Sequence, residues 1–147
     1  MAKSKQERIE EGKRKYVESM LAFNGTEFEF DEGYLIRFKL GVVEVSQDFP
    51  LGFYYEFNLF GPDKDGKPTV RILAAGNSHA PADVKHPYDH WHDTKKDTNN
   101  KPIGVQTGRS IKVDDISAHM GHFVDRSKKL LAELGVSEEI LGCSAES

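Results

Sequence analysis

The chain has 147 residues, of which 37% are apolar, enough for one domain with one core of ordinary size. A formal charge of −4 argues against a broad basic face for duplex DNA, although local charge can oppose the net value around a small site. The lone cysteine, Cys143, excludes an internal disulfide and a zinc site built on cysteine, and no apolar run approaches the roughly 18 residues of a membrane span.

The amino terminus, Met1 to Arg8, is basic but is followed by no apolar segment, so it does not read as a secretory signal. A soluble cytoplasmic protein is the expectation, with no membrane association. From Ser4 to Phe23 the sequence reads as a helix, because Ile9, Tyr16, Met20 and Phe23 recur at three-, four- and seven-residue steps. Its first two turns are almost wholly charged. That end is therefore expected to project into solvent or dock on a partner, and residues 1–24 to serve as a partner-docking or dimerisation element, with a partner or a second copy covering the face of Tyr16, Met20 and Phe23. Asn24 and Gly25 stop this helix.

From Thr26 to Asn77 the period falls to two. Phe28 and Phe30 alternate with Glu27 and Glu29, and Tyr34, Ile36, Phe38 and Leu40 alternate with Leu35, Arg37 and Lys39. Gly41 suggests a bulge before Val42 to Val45. Phe53, Tyr55, Phe57 and Leu59 oppose Tyr54, Glu56 and Asn58, and Asp63 to Lys67 is a turn with Gly66 free for positive φ. Thr69 to Ala75 returns as a strand. The pattern predicts an antiparallel meander in which each strand buries one face.

A histidine-rich stretch follows. Lys95 to Lys101 is polar and aperiodic and is expected to be a mobile loop, and Ile103 to Val105 offers a further short strand. Val113 to Leu134 reads as the final helix, with Ile116, Met120, Phe123, Val124, Leu130, Leu131 and Leu134 as its apolar stripe. Gly135 ends it, and Ser137 is placed to cap one last turn. The whole predicts a single α+β domain over residues 1–147: an antiparallel sheet of four to five strands packed against the first and last helices.

Four of the six histidines, His79, His86, His90 and His92, lie within fourteen residues that also hold the only tryptophan, Trp91. Imidazole exchanges protons near neutral pH, so this is where the sequence concentrates its acid–base chemistry. Several features around it form one pattern: Gly33-Tyr34 opening a long strand, Tyr55 before an Asp-Gly hairpin, Gly76-Asn77-Ser78-His79 after the next strand, Tyr88-Asp89-His90-Trp91-His92, and a long final amphipathic helix. Over residues 25–135 this pattern resembles the TumE-type toxins of prokaryotic toxin–antitoxin modules. Where relatives often read Asp-Asn-Ala-His, this chain has Gly76-Asn77-Ser78-His79. The resemblance implies growth inhibition, neutralisation by an adjacently encoded antitoxin, often with a helix-turn-helix, and ribonuclease action on an RNA substrate.

Metal-independent RNA cleavage needs a base for the 2′-hydroxyl, an acid for the leaving 5′-oxygen, and a donor or cation for the phosphate. His90 and His92, two residues apart in extended backbone, share a face with Trp91 on the other. Trp91 is expected to pack inward and hold both rings toward solvent. His79 could face them across the loop, Tyr88 could donate to a phosphate oxygen, and Asp89 could orient an imidazole. Lys85, Lys95, Lys96 and Arg71 are the candidate substrate-binding cations, with Arg109, Lys112 and Arg37 nearby. No cofactor is required on this reading, and a homodimer is compatible with it. The alternative is a divalent metal on His86, His90 and His92, although Pro87 argues against a helix through His86 and His90. A further alternative is a non-catalytic interaction protein whose histidine loop is a binding surface. His119 lies at the edge of the final helix's apolar stripe, where a boundary histidine satisfied locally is the simpler reading. No Gly-rich phosphate loop or Gly-x-Ser-x-Gly element points to nucleotide hydrolysis or serine-esterase chemistry.

Overall fold

Alternation along residues 26–76 produces strands with one apolar and one polar face, and these strands pair in antiparallel order. The computed structural model describes residues 4–47, 49–77 and 89–145. Helix α1 spans Lys5–Leu21, followed by β1 (Thr26–Glu29), a short 3-10 turn at Asp31–Gly33, β2 (Leu35–Val42), β3 (Phe53–Pro62) and β4 (Pro68–Gly76). Beyond the histidine-rich stretch come β5 (His90–His92), β6 (Thr94–Lys96), β7 (Pro102–Val105), β8 (Arg109–Ser110), α2 (Ile116–Glu133) and β9 (Gly142–Ala145). Seven strands form one sheet in the order β8-β5-β4-β3-β2-β1-β9, and β6 and β7 form a separate hairpin.

The register sorts the side chains into two faces. Phe38, Phe57, Ala75, Trp91 and Arg109 are successive partners on one face. Both helices pack on that inner face. Phe123 of α2 lies 5.8 Å from Phe57 and 5.7 Å from Trp91, while Phe23, just after α1, meets Phe38 edge-on at 6.4 Å. Met20, Phe38, Phe57, Leu59, Ile116, Phe123, Leu130 and Leu131 are all buried in this core. Each large apolar side chain buried there contributes roughly 1.5–3 kcal/mol. A bulge between Leu59 and Phe60 lets Ile72 join Leu73 in the core while Arg71 pairs with Phe60.

Both helices begin as their sequences direct. The Ser4 side chain accepts from Glu7 N–H, and Asp115 accepts from Ser117 and Ala118. Gly135, at φ +74°, ends α2 in the left-handed conformation. Neither helix is long and apolar enough to cross a membrane.

Several expectations are corrected by long-range pairing. The described strands exceed four to five, because β5 and β8 extend one edge of the sheet and β9 returns to pair with β1 at the other. Gly41 makes no bulge: it pairs regularly with Tyr54, whose ring lies 3.3 Å from where a Cβ would sit. Lys95 to Lys101 is an ordered hairpin. The Asp97 carboxylate accepts from the Asn99 and Lys101 amides, and Asn100 takes φ +66°. Ser137 caps no helical turn, its hydroxyl accepting instead from Glu139 N–H before β9. The face of α1 expected to meet a partner packs in part on its own domain: Tyr16, 40% exposed, meets Phe53 and donates to Asp115 at 3.2 Å, and Met20 is buried. The first turns of α1 are exposed, as expected.

Deleting residues 1–12 should therefore lower stability by less than about 1 kcal/mol, a shift of no more than about 4 °C. Met20→Ala should cost about 2–5 kcal/mol. Calorimetry of both variants checks this, and loss of a cooperative transition in the truncated chain would contradict it.

Candidate functional site

Strand β5 has only three residues, and alternation fixes what each one faces. Trp91 goes inward onto α2, so His90 and His92 project from the outer face, their ring centroids 4.9 Å apart and edge-to-face. Register then builds a trough. One row across the sheet reads Lys39, Glu56, Gly76, His90 and Ser110; the next reads Glu27, Arg37, Asn58, Ala74 and His92. The small residues Gly76 and Ala74 of β4 form the floor. Glu56 and Asn58 rise on one side and the two histidines on the other, about 9.5 Å apart between strand axes.

The imidazoles are not held out to solvent as expected; His90 is only 2% exposed and His92 is half-buried. The segment between β7 and β8 crosses over them. Gln106 pins it, its backbone N–H donating to Asp93 O at 2.7 Å and its side-chain amide to Thr94 O at 3.2 Å. Gly108 then lies so close that a Cβ there would sit 2.8 Å from His92 Cε1 and 3.3 Å from His90 Cδ2. Only a residue without a side chain lets backbone rest on both rings.

The same segment sets a tautomer. His92 Nδ1 lies 2.8 Å from the Gln106 carbonyl, which can only accept, so Nδ1 carries the hydrogen. In the neutral ring Nε2 is then a lone-pair acceptor, and it is buried without a hydrogen-bond partner. Asn58 Oδ1, across Ala74, is likewise buried and unpartnered, while Asn58 Nδ2 donates to Glu56 at 3.2 Å. Unpartnered buried polar atoms cost about 1–3 kcal/mol each, and these two lie on the same outer-face row on either side of Ala74.

The inner face carries a second polar cluster. Tyr55 donates its hydroxyl to Asp89 at 2.8 Å. Burial, opposed by that bond and by the Val113 N–H, raises the Asp89 carboxyl above its ordinary value. Burial first, and then the charge of Asp89, push the Tyr55 phenol up. Asn77 ties the ends of β3 and β4 together: its Oδ1 accepts from Tyr55 N–H and its Nδ2 donates to Phe53 O, both at 2.8 Å. The described bonds of the Asp89 carboxylate thus go to Tyr55 and Val113, on the face away from the imidazoles it was expected to orient. His119, 7% exposed, stacks among Tyr55, Phe57 and Trp91, and burial followed by His122 lowers its pKa to about 4.

Of the residues singled out in the sequence, His90 and His92 come together. His79, Lys85, His86 and Tyr88 lie outside the described residues. Arg71 sits on the outer face opposite Phe60, Lys95 is exposed on the hairpin, and Lys96 pairs with Glu133 of α2 at 3.7 Å. Arg37 is held by Glu27 at 2.6 Å and lies over the Phe60 ring. Glu56, Asn58, Gln106 and Gly108 were not anticipated. For the first two a signal was present, since they are the polar alternates of β3; for the others only the fold supplies it. Among the described residues no group of three His, Cys, Asp or Glu is placed to hold a metal ion. No family model matches the chain, and neither a curated protein nor a solved structure shows significant similarity to it.

Gly108→Ala should displace the His92 ring or the segment above it, at a cost of about 1–3 kcal/mol. Imidazole NMR resonances and a thermal melt read this, and unchanged His90 and His92 signals would contradict the packing. His119 gives a pH test. Its folded pKa of about 4 lies below the ordinary 6.5, so its contribution is complete above pH 6.5 and is lost as pH falls toward 4, in all about 3 kcal/mol. Asp89, with a raised pKa, acts in the opposite sense. Denaturant titrations should show the His119 component missing in His119→Leu, and an identical pH slope in both proteins would rule it out.

Proposed function

We propose that the chain is the toxin component of a toxin–antitoxin module, acting as a metal-independent endoribonuclease through its outer-face histidine pair. The observation that carries the chemistry is the geometry of His92, with Nδ1 committed to a carbonyl and Nε2 left without a partner next to a second imidazole. A base needs such a lone pair in a fixed orientation. His92 Nε2 takes the proton of the 2′-hydroxyl, whose oxygen attacks the adjacent phosphorus. The bond to the 5′-oxygen breaks, and His90 supplies the proton that this oxygen needs. Asn58, with Lys39 farther along the face, supplies polar and cationic groups toward the phosphate. The products are a 2′,3′-cyclic phosphate and a free 5′-hydroxyl.

The toxin role rests on the resemblance carried by Asn77 and the Tyr88 to His92 motif, which also points to an antitoxin partner, helix-turn-helix in type, and to action in the cytoplasm. The burial of His90 beneath Gly108 favours one competing reading, a binding protein in which the pair is structural. A divalent metal on His86, His90 and His92 is a third reading, which chelation separates from the first.

Purified protein should cleave RNA but not the same sequence with 2′-deoxy sugars, should keep its activity in EDTA, and should show a bell-shaped pH profile. His90→Ala and His92→Ala should each reduce the rate about 10²–10⁴-fold and relieve growth inhibition while remaining folded. Cleavage of the deoxy strand, or loss in EDTA with rescue by zinc or manganese, would replace this mechanism by a metal-activated one. No cleavage of any RNA would leave the binding-protein reading.

A further inference from the structure

On the inner side of the sheet, at the β5–β8 edge, a depression of about 350 Å³ opens between the sheet and α2. Trp91, Asp93, Arg109, Ile111, His119, His122 and Arg126 line it. His119, His122 and Arg126 come from α2 at steps of three and four, hence from one face of the helix. Two of its polar atoms are buried without a partner: His119 Nε2 and Arg126 Nη1. The guanidinium of Arg126, a half-buried side chain, pairs with no carboxylate among the described residues, which leaves its inaccessible Nη1 unsatisfied. Asp93 also reaches the depression, but its oxygens are engaged, Oδ1 by Trp91 Nε1 at 2.7 Å and Oδ2 by Arg109 Nε at 3.5 Å. That pair runs through Nε, leaving the terminal nitrogens of Arg109 for another acceptor. Two guanidinium groups against one engaged carboxylate leave the depression net positive.

We infer that this depression is an oxyanion site that holds a backbone phosphate of a single RNA strand, flanking the phosphate cut in the histidine trough. The assignment of RNA rests on the ribonuclease reading; the preference for an oxyanion rests on the two arginines alone. Guanidinium presents forked donors matched to phosphate oxygens, and an anion would satisfy Arg126 Nη1, which has no partner now. The topology connects the two places. Arg109 and Ser110 are neighbours on the two-residue edge strand β8 and face opposite sides. Arg109 pairs with Trp91 beside the depression, and Ser110 with His90 beside the trough. A strand of RNA passing over this short edge runs from one to the other.

Trp91, the only tryptophan, lines the depression and reports its occupancy by fluorescence. The full chain is titrated with a short 2′-O-methyl RNA, which cannot be cut through its 2′-oxygen, and separately with inorganic phosphate. RNA should shift the Trp91 signal, phosphate should compete with it, and Arg126→Gln should weaken RNA binding about ten-fold or more. Arg109→Gln, at a side chain 61% exposed, is the second variant should Arg126→Gln fail to fold, and it should act in the same direction. Unchanged affinity in a folded variant, or no fluorescence response to either probe, would overturn the site. A response to phosphate without one to RNA would overturn RNA as its source. RNA binding that depends on Arg126 in a chain that cuts nothing would remove the ribonuclease reading and leave the oxyanion site standing. Cleavage with an unchanged KM in Arg126→Gln would do the reverse.

Discussion

Trp91 lies against Phe123 and His119 on the helix side of the sheet and donates its indole N–H to Asp93. Much of the site follows from that burial. In a strand of three residues, committing the middle side chain to the core leaves its neighbours only the opposite face. A one-residue slip of β5 would send both imidazoles into the core and the indole into the trough. The large apolar area of the indole therefore serves as the register lock for the histidine pair. The pairing of Ala75 with Trp91 completes it, since a small residue on β4 leaves the indole room.

The polar groups at this end of the molecule divide by face. On the inner side, Asp89, Tyr55, Asn77 and His119 are buried, and all but His119 satisfy one another or the backbone. Asn77 alone engages the Tyr55 N–H and the Phe53 carbonyl, which lie beyond the last paired residues of β4. This network stiffens the end of the sheet from which the histidine-rich segment departs. On the outer side the balance differs, with His92 Nε2 and Asn58 Oδ1 lacking partners. Unpartnered polar atoms thus lie on both sides of the sheet, His92 Nε2 and Asn58 Oδ1 on the outer face and His119 Nε2 and Arg126 Nη1 on the α2 side.

Much of this was legible in the sequence, and the remainder was hidden for identifiable reasons. The alternation of Tyr34 to Leu40 and Phe53 to Leu59, the turn at Gly66 and both helices depend on local pattern, and they stand in the structure. So does the inward Trp91 with its two outward histidines. The segment covering those histidines was not legible, because Gln106 and Gly108 lie 14 or more residues downstream and act only through tertiary contact. Asp89 seemed suited to orient an imidazole, yet one step of strand alternation sends it toward Tyr55, 34 residues earlier in the chain. The stretch Lys95 to Lys101 looked mobile because it is polar, but Asp97 supplies the turn bonds within its own loop. Ionic residues at turns describe solvation, not order.

The central claim is that β5 presents an imidazole pair on the outer face, with His92 tied through Nδ1 to the Gln106 carbonyl and its Nε2 without a partner. The most direct measurement is long-range ¹H–¹⁵N NMR of the six histidine rings, recorded in the free protein and again with a 2′-O-methyl RNA. The account predicts a hydrogen on His92 Nδ1, and RNA-dependent shifts at the nitrogens of His90 and His92. A His92 ring carrying its hydrogen on Nε2 alone, or RNA that binds without perturbing either ring, would contradict it.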